Sequence, residues 1–376
     1  MACSTLSNVR LVLKFAFFLA LPVALLTHNT RDGLRVFDGL LDINHYLFNL
    51  VLWFWIALGL LLAALHLRSR RPWPGILILG ANFCFLAGSL DLLVLTLTRV
   101  SSGPAGHISI SHRNWHNRTV NENSLGFWDD EVPPQIEVAV VGDSFTWGQG
   151  IPARQQRFTD RLTQKTGMHF WNFGRPGAST HQERTEILPV VAAHKPKVVV
   201  LCYLTNDIAC LAEPFDPPVP SLTTWQRNLI RASPTYNYAY LRFFGRGGEN
   251  EAGQRYFFTL LYNYWNAQTM QAHAQEIQET VEAIRKMGAR PVAVILPFPH
   301  MFYRVQPEYR QKVYDSVTQA FSQANCPVLA LQDLEKNYPV GQFEVGPIDS
   351  HPSARVHEAM AARIASWFQE HPEILR

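Results

Sequence analysis

The chain has 376 residues, a formal net charge of +3 and a hydrophobic content of 47%. A charge so close to zero, together with the lack of any nucleic-acid-binding motif, argues against a DNA or RNA partner. The average composition conceals a division, because residues 1–100 are dominated by Leu, Phe, Val and Ala whereas the rest is typical of a water-soluble domain. We therefore predict a membrane region followed by a globular domain.

Three apolar segments, at about residues 11–27, 46–67 and 75–98, approach or reach the ~20 residues that a helix needs to cross a bilayer. The first segment could instead be a cleaved signal peptide, but no small-x-small cleavage site follows it. Asp91 lies in the third segment, and because a carboxylate is costly in lipid, we expect it to face a partner helix or an aqueous cleft. The sequence thus predicts three transmembrane helices.

Basic residues indicate the orientation of these helices. Arg10 and Lys14 lie at the start of the first apolar segment, and three arginines crowd residues 68–71. The link over residues 28–45 carries two arginines, so the two sides of the membrane differ less in their number of basic residues. The positive-inside rule still favours a cytoplasmic amino terminus. Three crossings would then place everything beyond about Val100 outside the cytoplasm, on the periplasmic or extracellular side of a bacterial inner membrane.

Cysteines give little further indication. The five cysteines show neither CxxC spacing nor the density of a disulfide framework. A disulfide from Cys210 to Cys202 or to Cys326 could form if the domain lies outside the cytoplasm. No metal and no cofactor are predicted.

The most informative stretch of the soluble part begins with a continuous apolar run at residues 138–141. Such a run is typical of a buried strand in a parallel sheet, and it stops at Gly142-Asp143-Ser144. Ser144 is therefore predicted at the carboxyl end of a central strand, where open α/β sheets bind ligands. A Ser/Asp helix cap with turn glycines is the competing interpretation.

Two further strands are predicted to end in polar loops. The strand at 169–173 leads into a loop containing Gly177, whose backbone could approach a ligand closely and donate to an anion. The strand at 197–203 ends in Asn206-Asp207, where the Asn amide could donate to a developing oxyanion and Asp207 could pin the loop. A plain turn and a simple strand end are the competing interpretations.

Two segments do not fit the alternation of strands and helices. Residues 101–135 are interpreted as a polar linker and lead-in, with no reason for regular structure over 101–123. Residues 212–266 form a Pro-rich and then aromatic-rich insertion. This insertion could cap the site, line an acceptor groove, rest on the membrane interface or pack as a small subdomain.

Asp349 and His351 precede an amphipathic terminal helix predicted at about residues 356–369. Pro352 disfavours helix for His351, so we expect this residue in a loop at the helix entrance. A histidine can accept a hydroxyl proton near neutral pH, and a nearby carboxylate can fix its tautomer and stabilise the imidazolium. A helix-capping Asp beside an incidental surface His is the competing interpretation.

These segments resemble the SGNH (GDSL-like) hydrolase superfamily, whose four sequence blocks they match in order over about residues 136–369. The resemblance implies a three-layer α/β/α, flavodoxin-like domain with a parallel sheet of about five strands, placed here at residues 136–376. It assigns Ser144 as the nucleophile and His351 as the base, with Asp349 as the orienting acid. The implied oxyanion hole consists of the backbone N–H groups of Ser144 and Gly177 and the Asn206 side chain. Asp143 and Asp207 are the implied supporting residues.

The chain departs from the family pattern at two positions. Leu204 holds the place usually occupied by glycine in the third block, which would narrow the site or alter the loop. Asp349 precedes His351 by two residues instead of the usual three, with Ile348 at the customary place. Asp349 therefore either still reaches and orients the His351 ring, or a backbone carbonyl orients it instead. The second case would make the site a Ser/His dyad.

The resemblance also implies ester chemistry through an acyl-enzyme, with either water or a sugar hydroxyl accepting the acyl group. Membrane-tethered domains of this kind often add or remove O-acetyl groups on surface polysaccharides, so we expect an acylated envelope glycan as substrate. Three spans are too few for an acyltransferase channel, so transfer from a cytoplasmic donor would need a membrane-bound O-acyltransferase partner. A lipid esterase and a non-catalytic binding subunit are the alternatives.

Overall fold

The computed structural model describes residues 43–69, 72–208, 222–244, 251–298 and 305–375. Several predicted features lie outside the described residues: the first span at 11–27, Arg10, Lys14, Arg70, Arg71 and Cys210. The described residues group into two compact units. The first unit comprises residues 43–99, 106–114 and 222–244, and the second unit comprises the remainder.

The first unit contains two long apolar helices, α1 (Ile43–His66) and α2 (Trp73–Leu97), at the second and third predicted spans. Both are long and apolar enough to cross a membrane. Gly88 of α2 brings them close, since a Cβ there would lie 3.0 Å from the Cβ of Trp53. Large side chains such as Leu79, 71% exposed, are left uncovered by the rest of the described chain.

The segment after α2 has regular structure, so the expectation of none over residues 101–123 was wrong. Gly103–Ile108 form a 3-10 helix, and Ile110–Thr119 form α3. Ser101 is fully buried despite its polar side chain. The chain turns at Gly103, whose φ of +48° is a left-handed conformation that favours glycine.

A buried tryptophan cluster continues this segment within the second unit. Trp115 meets Trp128 and Trp147 edge-on, at ring-centroid distances of 6.1 and 5.8 Å. The Trp115 indole N–H donates to the Ile151 carbonyl at 3.0 Å. Because all three rings are buried, this part of the lead-in belongs to the folded domain rather than to a spacer.

The core of the second unit is a parallel five-stranded sheet, as predicted, in the order β2-β1-β3-β4-β5. The strands are β1 (Val138–Gly142), β2 (Phe170–Gly174), β3 (Val198–Tyr203), β4 (Arg290–Ile295) and β5 (Val328–Ala330). β1 and β3 are buried throughout, which explains why their sequences are continuous apolar runs. The connections change direction between β1 and β3, and ligands of such sheets bind at the carboxyl ends of the strands at this point.

Three helices connect the first three strands. The one-turn helix α4 (Ser144–Trp147) and helix α5 (Phe158–Thr166) follow β1. A composite helix, α6, covers residues 180–192 between β2 and β3. Parallel strands are joined by crossover connections of this kind, which carry helices over the faces of the sheet.

The aromatic insertion divides between the two units. Helices α7 (Thr224–Ala232) and α8 (Pro234–Phe243) belong to the first unit. Helix α9 (Glu251–Trp265) instead buries Leu260 and Tyr264 in the core of the second unit. The described part of the insertion is therefore not one packed subdomain.

Asp91 of α2 faces partner helices, which confirms the expectation for a carboxylate in an apolar segment. Asp91 is only 2% exposed. Its Oδ1 accepts the Ser233 hydroxyl at 2.6 Å and the Thr235 N–H at 3.1 Å, at the start of α8. The Trp53 indole N–H of α1 donates to Oδ2 at 3.2 Å. Three hydrogen-bond donors thus satisfy the buried carboxyl group of Asp91.

The rest of the second unit completes the helical layers. Its elements are α10 (Ala267–Lys286), α11 (Pro307–Gln323), α12 (Val340–Phe343), the antiparallel pair β6 (Glu344–Gly346) and β7 (Asp349–Pro352), and α13 (Ala354–Glu370). α10 packs with α6 and α11, whereas α5 packs with α13. These two groups of helices are the outer layers of an α/β/α fold.

A π-helical turn in α6, at Glu183–Ile187, buries a carboxyl group. Glu183 is 3% exposed, and its Oε1 has no hydrogen-bond partner among the described residues. Burial, reinforced by the charge of Asp143, raises the pKa of Glu183 to about 8. The folded domain therefore holds Glu183 mainly protonated at neutral pH.

Replacing Glu183 by Gln should remove a pH dependence of stability. Folding raises the pKa of Glu183 from 4.5 to about 8, so between these values the native state binds a proton that the unfolded chain has lost. The wild-type free energy of unfolding then falls as pH rises through this window, by at most about 1.4 kcal/mol per pH unit. Glu183→Gln keeps the shape without the proton, so its stability relative to wild type should increase from about pH 5 to about pH 8.

Thermal unfolding midpoints of the full chain at the two pH values, followed by near-ultraviolet circular dichroism, measure this difference. Glu370→Gln, at the exposed end of α13, is the matched control and should show no such trend. If Glu183→Gln differed from wild type by the same amount at both pH values, Glu183 would not be a buried protonated acid.

Candidate active site

The end of β1 presents Ser144 at the carboxyl edge of the sheet. Asp143 caps α4 by accepting the Phe145 N–H at 2.9 Å, and Ser144 is the first residue of that helix. The turn requires glycine at Gly142, because a Cβ there would lie 2.2 Å from Thr146 Oγ1. These contacts determine the backbone on both sides of the serine.

His351 contacts Ser144 from a distant part of the chain. His351 Nε2 lies 2.8 Å from Ser144 Oγ across a separation of 207 residues. His351 Nδ1 lies 2.5 Å from Asp349 Oδ1 on its other side. The Phe145 ring packs against the imidazole at a centroid distance of 5.1 Å. The three polar side chains form one hydrogen-bonded chain at the carboxyl end of β1.

The two-residue spacing of Asp349 and His351 follows from a strand. The sequence predicts a loop for His351, but both residues lie in β7, and in a strand residues i and i+2 share one face. Asp349 Oδ1 also accepts the backbone N–H of His351 at 3.0 Å, which holds the carboxylate beside the ring. Asp349 therefore reaches the imidazole despite its departure from the family spacing.

The lead-in segment packs directly against this pair. A Cβ on Gly103 would lie 3.6 Å from Asp349 Oδ1. A Cβ on Gly150, whose φ is +84°, would lie only 2.6 Å from Ser101 Oγ and 2.8 Å from Val345 of β6. Asp349 itself is only 2% exposed. The sequence offered no signal for these contacts, because a turn glycine does not indicate what packs against it.

The other two predicted oxyanion donors lie on neighbouring strand ends. Gly177, with φ of +78°, is exposed in the loop after β2. The Arg175 N–H of this loop donates to the Gly142 carbonyl at the end of β1, at 2.9 Å. Asn206 is half-buried after β3, and its side chain forms a hydrogen bond with Asp143. Because β2 and β3 both pair with β1, the two loops flank the turn that carries Ser144.

Asp207 and Leu204 shape the loop after β3. Asp207 Oδ2 accepts the Leu204 N–H at 2.8 Å, and the Asp207 N–H donates to the Leu204 carbonyl at 2.9 Å. Leu204 is 1% exposed and packs in the hydrophobic core. Its side chain thus occupies the core rather than the cleft, so replacing the usual glycine does not narrow the site.

Two buried acids give the site its electrostatic character. Burial raises the pKa of Asp143 to about 6, although the Phe145 N–H, the charge of His351 and the Asn206 side chain oppose this shift. Glu183 lies near enough for the Asp143 charge to contribute to its own raised pKa. No local pattern in the sequence points to Glu183, since one Glu in an amphipathic helix normally faces solvent.

One group of potential metal ligands occurs in the described part of the chain. Asp129, Asp130 and His169 place ligand atoms within 4.8 Å of one another. Arg154 pairs with Asp130 at 2.8 Å and with Asp129 at 3.5 Å, so a guanidinium already supplies the positive charge. We therefore interpret these acids as part of an ion-pair cluster.

The globular part of the chain matches a known family. The profile of the GDSL-like lipase/acylhydrolase family matches residues 140–359. Similar solved structures include a lipase/acylhydrolase from Enterococcus faecalis, with 15% identity over 63% of this chain and 97% of that one and a TM-score of 0.36. A psychrotrophic esterase from Pseudoalteromonas sp. has 11% identity over 62% and 100% of the two chains and a TM-score of 0.38. No curated protein matches the chain. Because the profile spans more than half of its length, this chain belongs to the GDSL-like lipase/acylhydrolase family.

Proposed function

We propose that the protein is a serine esterase or O-acyltransferase that works through an acyl-enzyme on Ser144. The observation that carries this proposal is the hydrogen-bonded chain from Ser144 Oγ to His351 Nε2, at 2.8 Å, and from Nδ1 to Asp349 Oδ1, at 2.5 Å. A histidine between a hydroxyl and a carboxylate lets a serine lose its proton as it attacks a carbonyl. A binding module needs no such arrangement.

The reaction begins with the Ser144 hydroxyl donating to His351 Nε2 while Nδ1–H donates to Asp349. Ser144 Oγ attacks the ester carbonyl carbon as its proton moves to Nε2, and the Asp349 carboxylate stabilises the imidazolium. Collapse of the tetrahedral intermediate returns this proton to the leaving alcohol and leaves the acyl group on Oγ. Water or an acceptor hydroxyl then attacks the acyl-enzyme and loses its proton to Nε2. Collapse of this second tetrahedral intermediate breaks the acyl–Oγ bond, releases the acid or the new ester, and returns the proton from Nε2 to Ser144 Oγ.

The developing oxyanion is assigned to the backbone N–H groups of Ser144 and Gly177 and to the Asn206 amide. Open space around Gly177 supports this role, since a Cβ there would meet no atom within 4 Å. An Asn amide has two N–H donors, so Asn206 can bond to Asp143 with one and to the substrate with the other. Asp143 would thereby orient an oxyanion donor as well as cap α4.

The two membrane-length helices support a membrane-anchored enzyme. The arginines at residues 68–71, between these helices, favour a catalytic unit outside the cytoplasm. The proposed ester is an O-acetyl group on a cell-envelope polysaccharide, either hydrolysed or transferred with a membrane-bound O-acyltransferase partner. The exposed aromatic side chains of the insertion, such as Trp225 and Phe243, favour a lipid ester as the second candidate.

Ser144→Ala should lower turnover of an acetyl aryl ester by at least about 10³-fold, because no other group can form the acyl-enzyme. The full chain is assayed in detergent with this ester, an acetylated glycan and a long-chain acyl ester, each with and without unacetylated acceptor. Ser322→Ala, an exposed serine of α11, is the matched control and should retain full activity. Turnover that persisted in Ser144→Ala would contradict the mechanism, and the preferred ester distinguishes the glycan from the lipid candidate.

Asp349→Asn should lower kcat by as much as about 10⁴-fold with little change in KM, because the amide favours the wrong tautomer of His351 and cannot stabilise its charge. Steady-state kinetics on the best ester of the panel measure both constants. Asp315→Asn, on the exposed face of α11, is the control. Near-complete activity of Asp349→Asn, together with an inactive His351→Ala, would make the site a dyad.

A reporter that fluoresces only in the cytoplasm should stay dark when fused to the carboxyl terminus of the chain, because the catalytic unit is placed outside. The same reporter fused after Ser69, in the arginine-rich link, should be bright. The reverse pattern would contradict the proposed topology.

A further inference from the structure

Helices α7 and α8 of the first unit combine exposed aromatic rings with purely basic charge. Trp225, Phe243 and Phe244 are 60%, 72% and 71% exposed. Residues 222–244 contain no acidic residue and three arginines, namely Arg227, Arg231 and Arg242. Aromatic rings together with arginines are the composition of helices that lie in the interface of a bilayer.

Buried polar contacts hold both helices against α1 and α2. The Tyr46 hydroxyl of α1 donates to the Ile230 carbonyl of α7 at 2.5 Å. Asp91 of α2 accepts from Ser233 and Thr235 at the start of α8, as described above. The Asn237 side chain continues this network, donating to the Tyr46 hydroxyl at 3.3 Å. Directional hydrogen bonds at several points leave α7 and α8 little freedom to slide along the long helices.

These contacts also determine the level at which α7 and α8 lie. Asp91 precedes Leu97, the last residue of α2, by six residues, which corresponds to ~9 Å at 1.5 Å per residue. Tyr46 lies near the start of α1 and packs with Leu95, so both attachment points are at the same end of the helix pair. An interfacial helix buries its apolar face about 5–10 Å into the boundary between headgroups and acyl chains. The attachment level agrees with that depth.

We propose that α7 and α8 form a lipid-binding element in the leaflet at the carboxyl end of α2, with the exposed rings of Trp225, Phe243 and Phe244 in the interface and Arg242, beside Phe243, at the headgroups. This inference rests on the proposed membrane placement of α1 and α2 and goes beyond the proposed reaction. We assign a bilayer to this surface because α7 and α8 are hydrogen-bonded near the ends of α1 and α2 within one compact unit. The lipid that surrounds the helix ends therefore also surrounds Trp225, Phe243 and Phe244.

Photo-crosslinking of the full chain tests this element in vesicles of phosphatidylcholine and phosphatidylglycerol. p-Benzoylphenylalanine replaces Trp225 or Phe243 in separate chains, and mass spectrometry identifies the adducts after irradiation. In a third chain p-benzoylphenylalanine replaces Phe83, which is 65% exposed near the middle of α2, to test whether α2 spans the bilayer.

We expect lipid adducts at Trp225, Phe243 and Phe83. The phosphatidylglycerol share of the adducts should be higher at Phe243 than at Phe83, because Arg242 beside Phe243 attracts anionic headgroups. Adducts at Phe83 without any at Trp225 and Phe243 would overturn the inference and leave the membrane placement standing. Absence of adducts at Phe83 as well would overturn both. Crosslinks from Phe243 to a second copy of the chain, in place of lipid, would overturn the lipid assignment.

Discussion

The hydrogen bond between Ser144 Oγ and His351 Nε2, 2.8 Å long, sets the strictest geometric demand on the second unit. Ser144 is held by the one-turn helix after β1, whereas His351 lies on β7, a strand outside the main sheet. Strand β6, which pairs with β7, packs closely against Gly150. A Cβ on Gly150 would lie only 2.8 Å from the Val345 side chain of β6, so the glycine allows β7 to approach Ser144. The alignment of His351 with Ser144 thus depends on close packing between loops as much as on the sheet.

Buried acids surround this hydrogen bond at a cost in stability. Asp143, Glu183 and Asp349 are all 3% exposed or less. Glu183 Oε1 and Asp349 Oδ2 have no hydrogen-bond partner within the described ranges, and each such atom costs roughly 1–3 kcal/mol. Groups of this kind persist where function requires them. The raised pKa of Glu183 keeps one negative charge away from the region assigned to the oxyanion.

Much of the second unit could be predicted because strands buried on both faces appear as unbroken apolar runs, and Ser144 follows such a run directly. Features that depend on distant contacts could not be predicted. Ser101 is polar in sequence yet buried beside Gly150, and one of the hydrogen-bond donors to Asp91, Ser233, lies 142 residues away. The short spacing of Asp349 and His351 became explicable only with β7, because the proline after the histidine is compatible with a loop or a strand.

Covalent capture tests most directly whether Ser144 is a nucleophile activated by His351. A fluorophosphonate transfers its phosphonyl group to an activated serine Oγ with loss of fluoride. Peptide mass spectrometry of the labelled full chain should place this group on Ser144, and labelling should be at least about 10³-fold slower in His351→Ala. A chain that stays unlabelled at Ser144, or that is labelled there equally fast without His351, would contradict the proposed mechanism.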